Sequence, residues 1–461
     1  MRRVLAGLAA LLVVVGVAAI AYAWEPAIAL IEPPRHDTFD QATIARGEQL
    51  AAIGNCSTCH TRPGGKLYAG GLALSTPFGT IHSTNITPDP DTGIGRWSLA
   101  AFTRSMRRGV DRAGRHLYPA FPYDHFTLVT DDDNRALYAF LMTRDPVNES
   151  APANELRFPL NQRMVIAGWK LLYLREGPYQ DNSSQSAEWN HGAYLAQGLA
   201  HCGACHTPRN ALGGERRDQQ FAGGEAEGWV AYAINAQSPA PVPWTAESLQ
   251  FYLRNGWHSQ HGVSRGPMAE VTTSLGVVSE SDLRAIALYV ADQMKDAASK
   301  QAKPAMPPAG EHQKAGTSPA SSDSQAAVAI ESGGGPGEAI YGSACAGCHD
   351  SGRAQPYGGL DLRLSTAAQA PDPTNIVNVV LYGLAPAEGE RSPIMPAFGA
   401  AISDAQLENL LAYLRSRFST EPPWSNLAAL IARQRASAVA LHPTDGALQA
   451  PAQPNQRVTA W

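Results

Sequence analysis

The chain of 461 residues has 36 Lys and Arg against 41 Asp and Glu, a net charge of -5, with 44% apolar and 17% charged residues. It is longer than one ordinary core accommodates and fits about three modules of roughly 150 residues. An acidic balance lacks the basic footprint of a nucleic-acid binder, so no nucleic-acid partner is expected.

Met1-Arg2-Arg3 leads into an uncharged run from Val4 to Ala23. As a helix the run rises through about 30 Å, the thickness of a bilayer core. The arginines ahead of it predict a cytoplasmic start and place everything after Trp24 outside. Ala21-Tyr22-Ala23 also resembles the cleavage site of an export signal, so residues 1–24 read either as a retained transmembrane anchor or as a signal peptide. The run exceeds the usual apolar stretch of a signal, about 7–15 residues, which favours the anchor. Both readings export the chain.

Beyond the anchor, one helical design recurs three times. A short helix is predicted over Ile44 to Ile53, His191 to Leu199 and Glu338 to Ala344. A second follows over Ser98 to Gly109, Thr245 to Gly256 and Thr374 to Gly383. Ser98 and Thr245 are good N-cap types, and a closing glycine suits a left-handed C-terminal position. Counting back from those glycines, Phe102, Leu249 and Ile376 share one position and Met106, Leu253 and Val380 another, four residues on and on the same face. A last helix closes each unit over Asp132 to Thr143, Ser281 to Met294 and Asp404 to Phe418, with Tyr138, Tyr289 and Tyr413 at similar places.

The expected boundaries are 38–145, 187–296 and 337–420 for the units, with a connector over 146–186, a linker over 297–336 and a tail over 421–461. Ala, Pro, Ser, Gly, Gln and Lys dominate the linker, a composition that builds no core. In the connector the apolar run Met164 to Leu174 is too short to cross a membrane, and reads as interdomain packing or as a membrane-surface contact.

All six cysteines fall in three copies of one pattern: Cys56-Ser-Thr-Cys59-His60, Cys202-Gly-Ala-Cys205-His206 and Cys345-Ala-Gly-Cys348-His349. In an exported protein the C-x-x-C-H pattern reads as covalent attachment of c-type haem, the two thiols meeting the porphyrin vinyl groups and the histidine supplying an iron ligand. Zinc would need two neighbouring pairs, whereas these lie 146 and 143 residues apart in sequence. A thioredoxin-like dithiol would need a βαβ context. The expectation is three covalent haem c groups, ligated by His60, His206 and His349.

An electron-carrying iron commonly takes methionine as its other axial ligand, which raises its potential. Gly256 to Met268 and Gly383 to Met395 are both twelve residues, so Met268 and Met395 are the candidates in the second and third units. The same count from Gly109 lands on Phe121, in LYPAFPYDHF, which cannot ligate. Met106 belongs to the helix core by its alignment. His125 is the tentative substitute, with His116 and an open position as alternatives.

The stretches YAGGLALSTPFGTIHSTNITPDPDTGIGRWS (Tyr68 to Ser98), LYPAFPYDHFT, HCGACHTPRNALGGERR and FAGGEAEGW resemble the membrane-anchored three-haem cytochrome c subunits of bacterial dehydrogenases. This family includes the cytochrome partners of quinoprotein alcohol and flavin sugar dehydrogenases. AGWKLLYL and EGWVAYAINAQSPAPVPWT are more similar to the cytochrome subunits accompanying molybdenum hydroxylases of aldehydes or N-heteroaromatic rings.

The resemblance implies a mainly α chain of three tandem class I cytochrome c-like domains with an N-terminal transmembrane helix, on the periplasmic side of a bacterial cytoplasmic membrane. It implies partners in a molybdopterin large subunit and a 2Fe–2S small subunit, with membrane quinone or a terminal oxidase as acceptor. It also implies a haem-side polar contact for Asn85. Substrate oxidation would belong to the partner, not to this chain. The competing class is a multihaem peroxidase, motivated by Phe121.

Overall fold

A computed structural model describes residues 1–301, 335–354, 358–384 and 393–441. Most of the expected linker and the end of the expected tail lie outside the described residues.

Each unit opens with a helix ahead of its cysteine pair: Gln41–Ile53, Ala187–Gln197 and Pro336–Ala344. The first two begin several residues before the apolar pattern does. Asp40 accepts a hydrogen bond from the Thr43 amide and Ser186 from that of Trp189, so each start is set by a cap. The middle helices, Leu99–Arg108, Ala246–Asn255 and Thr374–Tyr382, match the expectation closely. Ser98 and Thr245 cap the first two through their side chains, and Gly109, Gly256 and Gly383 follow with φ of 55°, 74° and 69°. Their aligned faces are buried: Phe102, Met106, Leu249, Leu253, Ile376 and Val380 are core residues.

The closing helices, Asp131–Met142, Glu280–Gln301 and Asp404–Phe418, cross the opening ones at a glycine. A Cβ on Gly47, Gly192 or Gly337 would lie 2.0, 1.9 or 2.2 Å from the carbonyl oxygen of Ala136, Ala285 or Asn409. Only glycine permits that backbone approach, and it brings the cysteine pair at the end of each opening helix against the core.

The first two units share one apolar core, in which Leu50, Phe102 and Leu137 join Leu195, Leu253 and Ile286. The third has its own, around Leu381, Leu407, Leu411 and Leu414. The structure adds a helix within the expected tail, Leu427–Leu441, whose Leu427, Leu430 and Ile431 complete that third core. This helix corrects the reading of the whole of 421–461 as tail.

Strands are few and short. Ala73–Thr76 pairs antiparallel with Gly79–His82, and Glu155–Leu156 from the connector adds a third strand. Gly224–Ala226 pairs with Trp229–Ala231 in the second unit. The connector run forms the helix Val165–Tyr173, which packs beside the N-terminal helix Arg2–Ala23.

Candidate haem sites

The C-x-x-C-H motif begins within five residues of the end of each opening helix and forms a single turn. Cys56 and Cys202 pack against the shared core and Cys345 against the third, while Cys59 and Cys348 face outward. No disulfide joins any of the six cysteines.

The histidines are held alike. Nδ1 of His60 lies 2.6 Å from the Thr84 carbonyl oxygen, that of His206 2.6 Å from Tyr232 and that of His349 2.8 Å from Leu360. A carbonyl only accepts, so each Nδ1 carries the proton and Nε2 keeps its lone pair for a metal. Burial pushes His60 and His206 below the ordinary imidazole pKa, which keeps those rings neutral.

A cavity of about 730 Å³ runs between the second and third units. Cys202, Cys205, His206 and Met268 line it from one side, and Cys345, Cys348, His349 and Met395 from the other. His261 also lines it, buried and stacked on Trp244 at 3.5 Å, and neither ring nitrogen has a hydrogen-bond partner. An apolar cavity with paired thiols, an oriented imidazole, a thioether and an unmet polar group fits a haem.

Gly109 and Gly256 begin matching turns. The Leu117 amide donates to the Gly109 carbonyl at 2.7 Å and the Ser264 amide to that of Gly256 at 2.8 Å, so Phe121 and Met268 stand in the same register. In the third unit Leu384 pairs with Met395 itself. The equal count of twelve residues is therefore reached through a different pairing there. Phe121 packs against the shared core, edge-on to Phe126 at 5.2 Å.

His125 is not offered to the first site. Its Nδ1 lies 2.7 Å from the Gln197 carbonyl oxygen and its Nε2 2.7 Å from Glu215 Oε1, so the second unit occupies both nitrogens. Burial opposes charge on the ring, but the Glu215 carboxylate outweighs it and raises the His125 pKa above its ordinary value. With both nitrogens engaged by the second unit, His125 presents no free lone pair in this arrangement, and the tentative assignment gains no support from it. His116 is likewise engaged, with Nε2 at 2.8 Å from the Ala23 carbonyl oxygen and Nδ1 at 3.0 Å from Lys170 Nζ.

Asn85 is buried, but not as a free polar contact. Its Nδ2 donates to the Val147 carbonyl at 2.7 Å and its Oδ1 accepts from the Thr87 amide at 2.9 Å. It ties the connector to the loop that holds Thr84 against His60. The close-approach glycines were also missed in the sequence, although a glycine 8 to 10 residues before the first cysteine of every motif is a signal available there.

Helical units closed over such motifs define a c-type cytochrome carrying covalently bound haem c. Residues 44–145 match the cytochrome c family, and residues 334–414 match the family described as cytochrome c oxidase, cbb3-type, subunit III. The chain is 34% identical over 388 residues to the fructose dehydrogenase cytochrome subunit of Gluconobacter japonicus, covering 82% of this chain and 79% of the relative. It is 33% identical over 417 residues to the cytochrome c subunit of the quinone alcohol dehydrogenase of Gluconobacter oxydans, covering 86% and 83%. It belongs to the family of cytochrome c electron-transfer subunits of dehydrogenases. It is also 43% identical over 426 residues to a subunit of the nicotinate dehydrogenase of Pseudomonas putida, covering 92% of this chain but only 34% of that longer relative.

Proposed function

We propose that the chain carries three haem c groups and passes electrons from a dehydrogenase on the periplasmic side to membrane quinone or a terminal oxidase, held to the membrane by Arg2–Ala23. The observation that carries the reading is the threefold recurrence of one arrangement, a cysteine pair beside a histidine whose Nδ1 meets a backbone carbonyl. Cys56, Cys59, Cys202, Cys205, Cys345 and Cys348 form the thioether links, and His60, His206 and His349 ligate iron. Met268 and Met395 complete the second and third sites, a role supported by their places on the cavity wall. Bound haem supplies one-electron chemistry, and the chain supplies ligands, burial and orientation.

The partner is a molybdopterin and 2Fe–2S dehydrogenase acting on an N-heteroaromatic ring or an aldehyde. Identity of 43% to the nicotinate dehydrogenase subunit, against 33–34% to the sugar and alcohol dehydrogenase subunits, supports this branch. The first iron takes no sixth ligand from this chain, since Phe121 holds the methionine register and both nearby histidines are engaged.

Haem quantitation and low-temperature EPR of the purified protein test the reading. Three covalent haems are expected, two low-spin and one high-spin, and Phe121→Met converts the high-spin signal to low-spin. Fewer than three haems, or three low-spin ones before mutation, overturns the assignment. Rapid turnover of peroxide at the first haem would favour the peroxidase class over a pure carrier. Co-purification with a molybdenum subunit supports the partner, and a quinoprotein or flavoprotein in its place defeats it.

A further inference from the structure

The connector helix Val165–Tyr173 is apolar on both sides, yet only one side is used. Ile166, Ala167 and Lys170 are buried against the first unit. Lys170 Nζ donates to the Arg108 and Gly109 carbonyls at 2.5 and 2.7 Å, at the C-terminal end of a helix where a cation is favoured. Trp169 and Tyr173 pack with ring centroids 4.8 Å apart at a tilt of 43°, and Trp169 Nε1 donates to the Leu212 carbonyl of the second unit. The helix is thereby fixed in place. Its opposite face, made of Met164, Val165, Leu171 and Leu172 with Gly168 between them, is open, and both leucines are about two-thirds exposed. Phe158, just before it, is 81% exposed.

Among the described residues nothing covers this face, but its neighbour indicates what does. The helix packs beside the exit of Arg2–Ala23, the apolar helix long enough to cross a membrane. Tyr22 and Trp24 are exposed at that exit, the residue types that sit at headgroup level. The exit is also anchored to the first unit: His116 meets the Ala23 carbonyl, Arg108 pairs with Glu25 at 2.6 Å, and the Ile28 amide donates to the Arg112 carbonyl. A bilayer around Arg2–Ala23 therefore begins next to the connector helix. Arg157 and Arg175, exposed at the ends of the apolar segment, are suited to lipid phosphates.

We propose that the Met164–Leu172 face lies in the headgroup region of the outer leaflet as an in-plane helix, giving the first unit a second membrane contact and a fixed orientation. This rests on the reading of Arg2–Ala23 as a membrane anchor. The test is photo-crosslinking of the haem-loaded full-length protein in nanodiscs of phosphatidylethanolamine and phosphatidylglycerol, without a dehydrogenase partner. A lipid carrying a shallow diazirine is used, and adducts are mapped by mass spectrometry. Adducts are expected on 4–24 and on 158–174. Leu171→Glu/Leu172→Glu should cut the second set several-fold, with the first set and the melting temperature unchanged. Adducts on 4–24 alone overturn the proposal while leaving the anchor intact, as they would if protein covers the face. No adducts on either segment defeat the anchor reading and the proposal with it.

Discussion

The joint between the first and second units and the joint between the second and third are built on different principles. At the first joint the apolar core is continuous, and a polar network closes over it. Arg46 pairs with Asp282 at 2.8 Å and with Asp133 at 3.3 Å, His191 meets Asp282 at 2.6 Å, and the Tyr194 hydroxyl donates to Asp133. At the second joint the cores are separate and the contacts are clips to backbone. Asn375 exchanges two hydrogen bonds with Val230, Asn378 donates to the Gly228 carbonyl, and Arg265 donates to that of Gly383. Between those clips lies the cavity shared by two cysteine motifs. One joint is held by the protein's own side chains, while the other encloses a space with room for a prosthetic group, so under the proposed haem loading its cohesion would depend on the cofactor.

The largest disturbance is expected from Cys345→Ala/Cys348→Ala. Loss of the third haem should leave the first two units folded as one body and release the third. Haem content per molecule would show the loss, and limited proteolysis would show the release. Equal proteolytic resistance in variant and parent would break the contrast between the joints.

At the first joint, Asp282→Asn weakens two charge-assisted contacts at a buried carboxylate whose partners are partly exposed. A loss of about 1–2 kcal/mol is expected in denaturant unfolding of the first two units, less than the full cost of breaking a buried pair because solvent screens Arg46 and His191. At the second joint, Asn375→Ala removes both bonds to Val230 and is expected to cost about 1 kcal/mol. That cost should be seen in the haem-loaded protein as faster exchange of the Val230 amide.

The smallest effect is a pH dependence of the first joint, where His125 meets Glu215 in the company of Asp124, His201 and Arg209. His125 has a folded pKa above its ordinary 6.5, so its contribution is present below 6.5 and is lost as pH rises through the folded value. Burial opposes the Glu215 charge, but the bond to His125 prevails and holds its pKa below the ordinary 4.5. Its contribution is therefore present above 4.5 and lost as pH falls through the folded value. Melting temperature should show a His125→Gln deficit that is greatest between about pH 4.5 and 6.5 and shrinks on either side. A deficit independent of pH would mean that only packing is lost.

The features legible in the sequence are local ones. A cap residue, a closing glycine and a four-residue spacing act within one helix, so Ser98, Gly109 and the Phe102–Met106 face could be read directly. The C-x-x-C-H motif was legible because its chemistry is confined to five consecutive residues. The engagement of His125 was not legible because its partners, Gln197 and Glu215, lie 72 and 90 residues away and belong to another unit. Gly47 was passed over because the carbonyl it admits belongs to Ala136, on a helix that no periodicity ties to it. The tail helix was missed because its apolar face has meaning only against the third core.

The carbonyl that sets each histidine has a consequence in time. Thr84 lies 24 residues after His60, Tyr232 lies 26 after His206, and Leu360 lies 11 after His349. A polypeptide translocated in sequence order exposes each cysteine pair before the residue that orients its imidazole. Under the proposed assignment, a haem joined at that moment would meet an imidazole whose tautomer is not yet set, and the following loop would fix it. The third site would have the shortest interval between its motif and the orienting carbonyl.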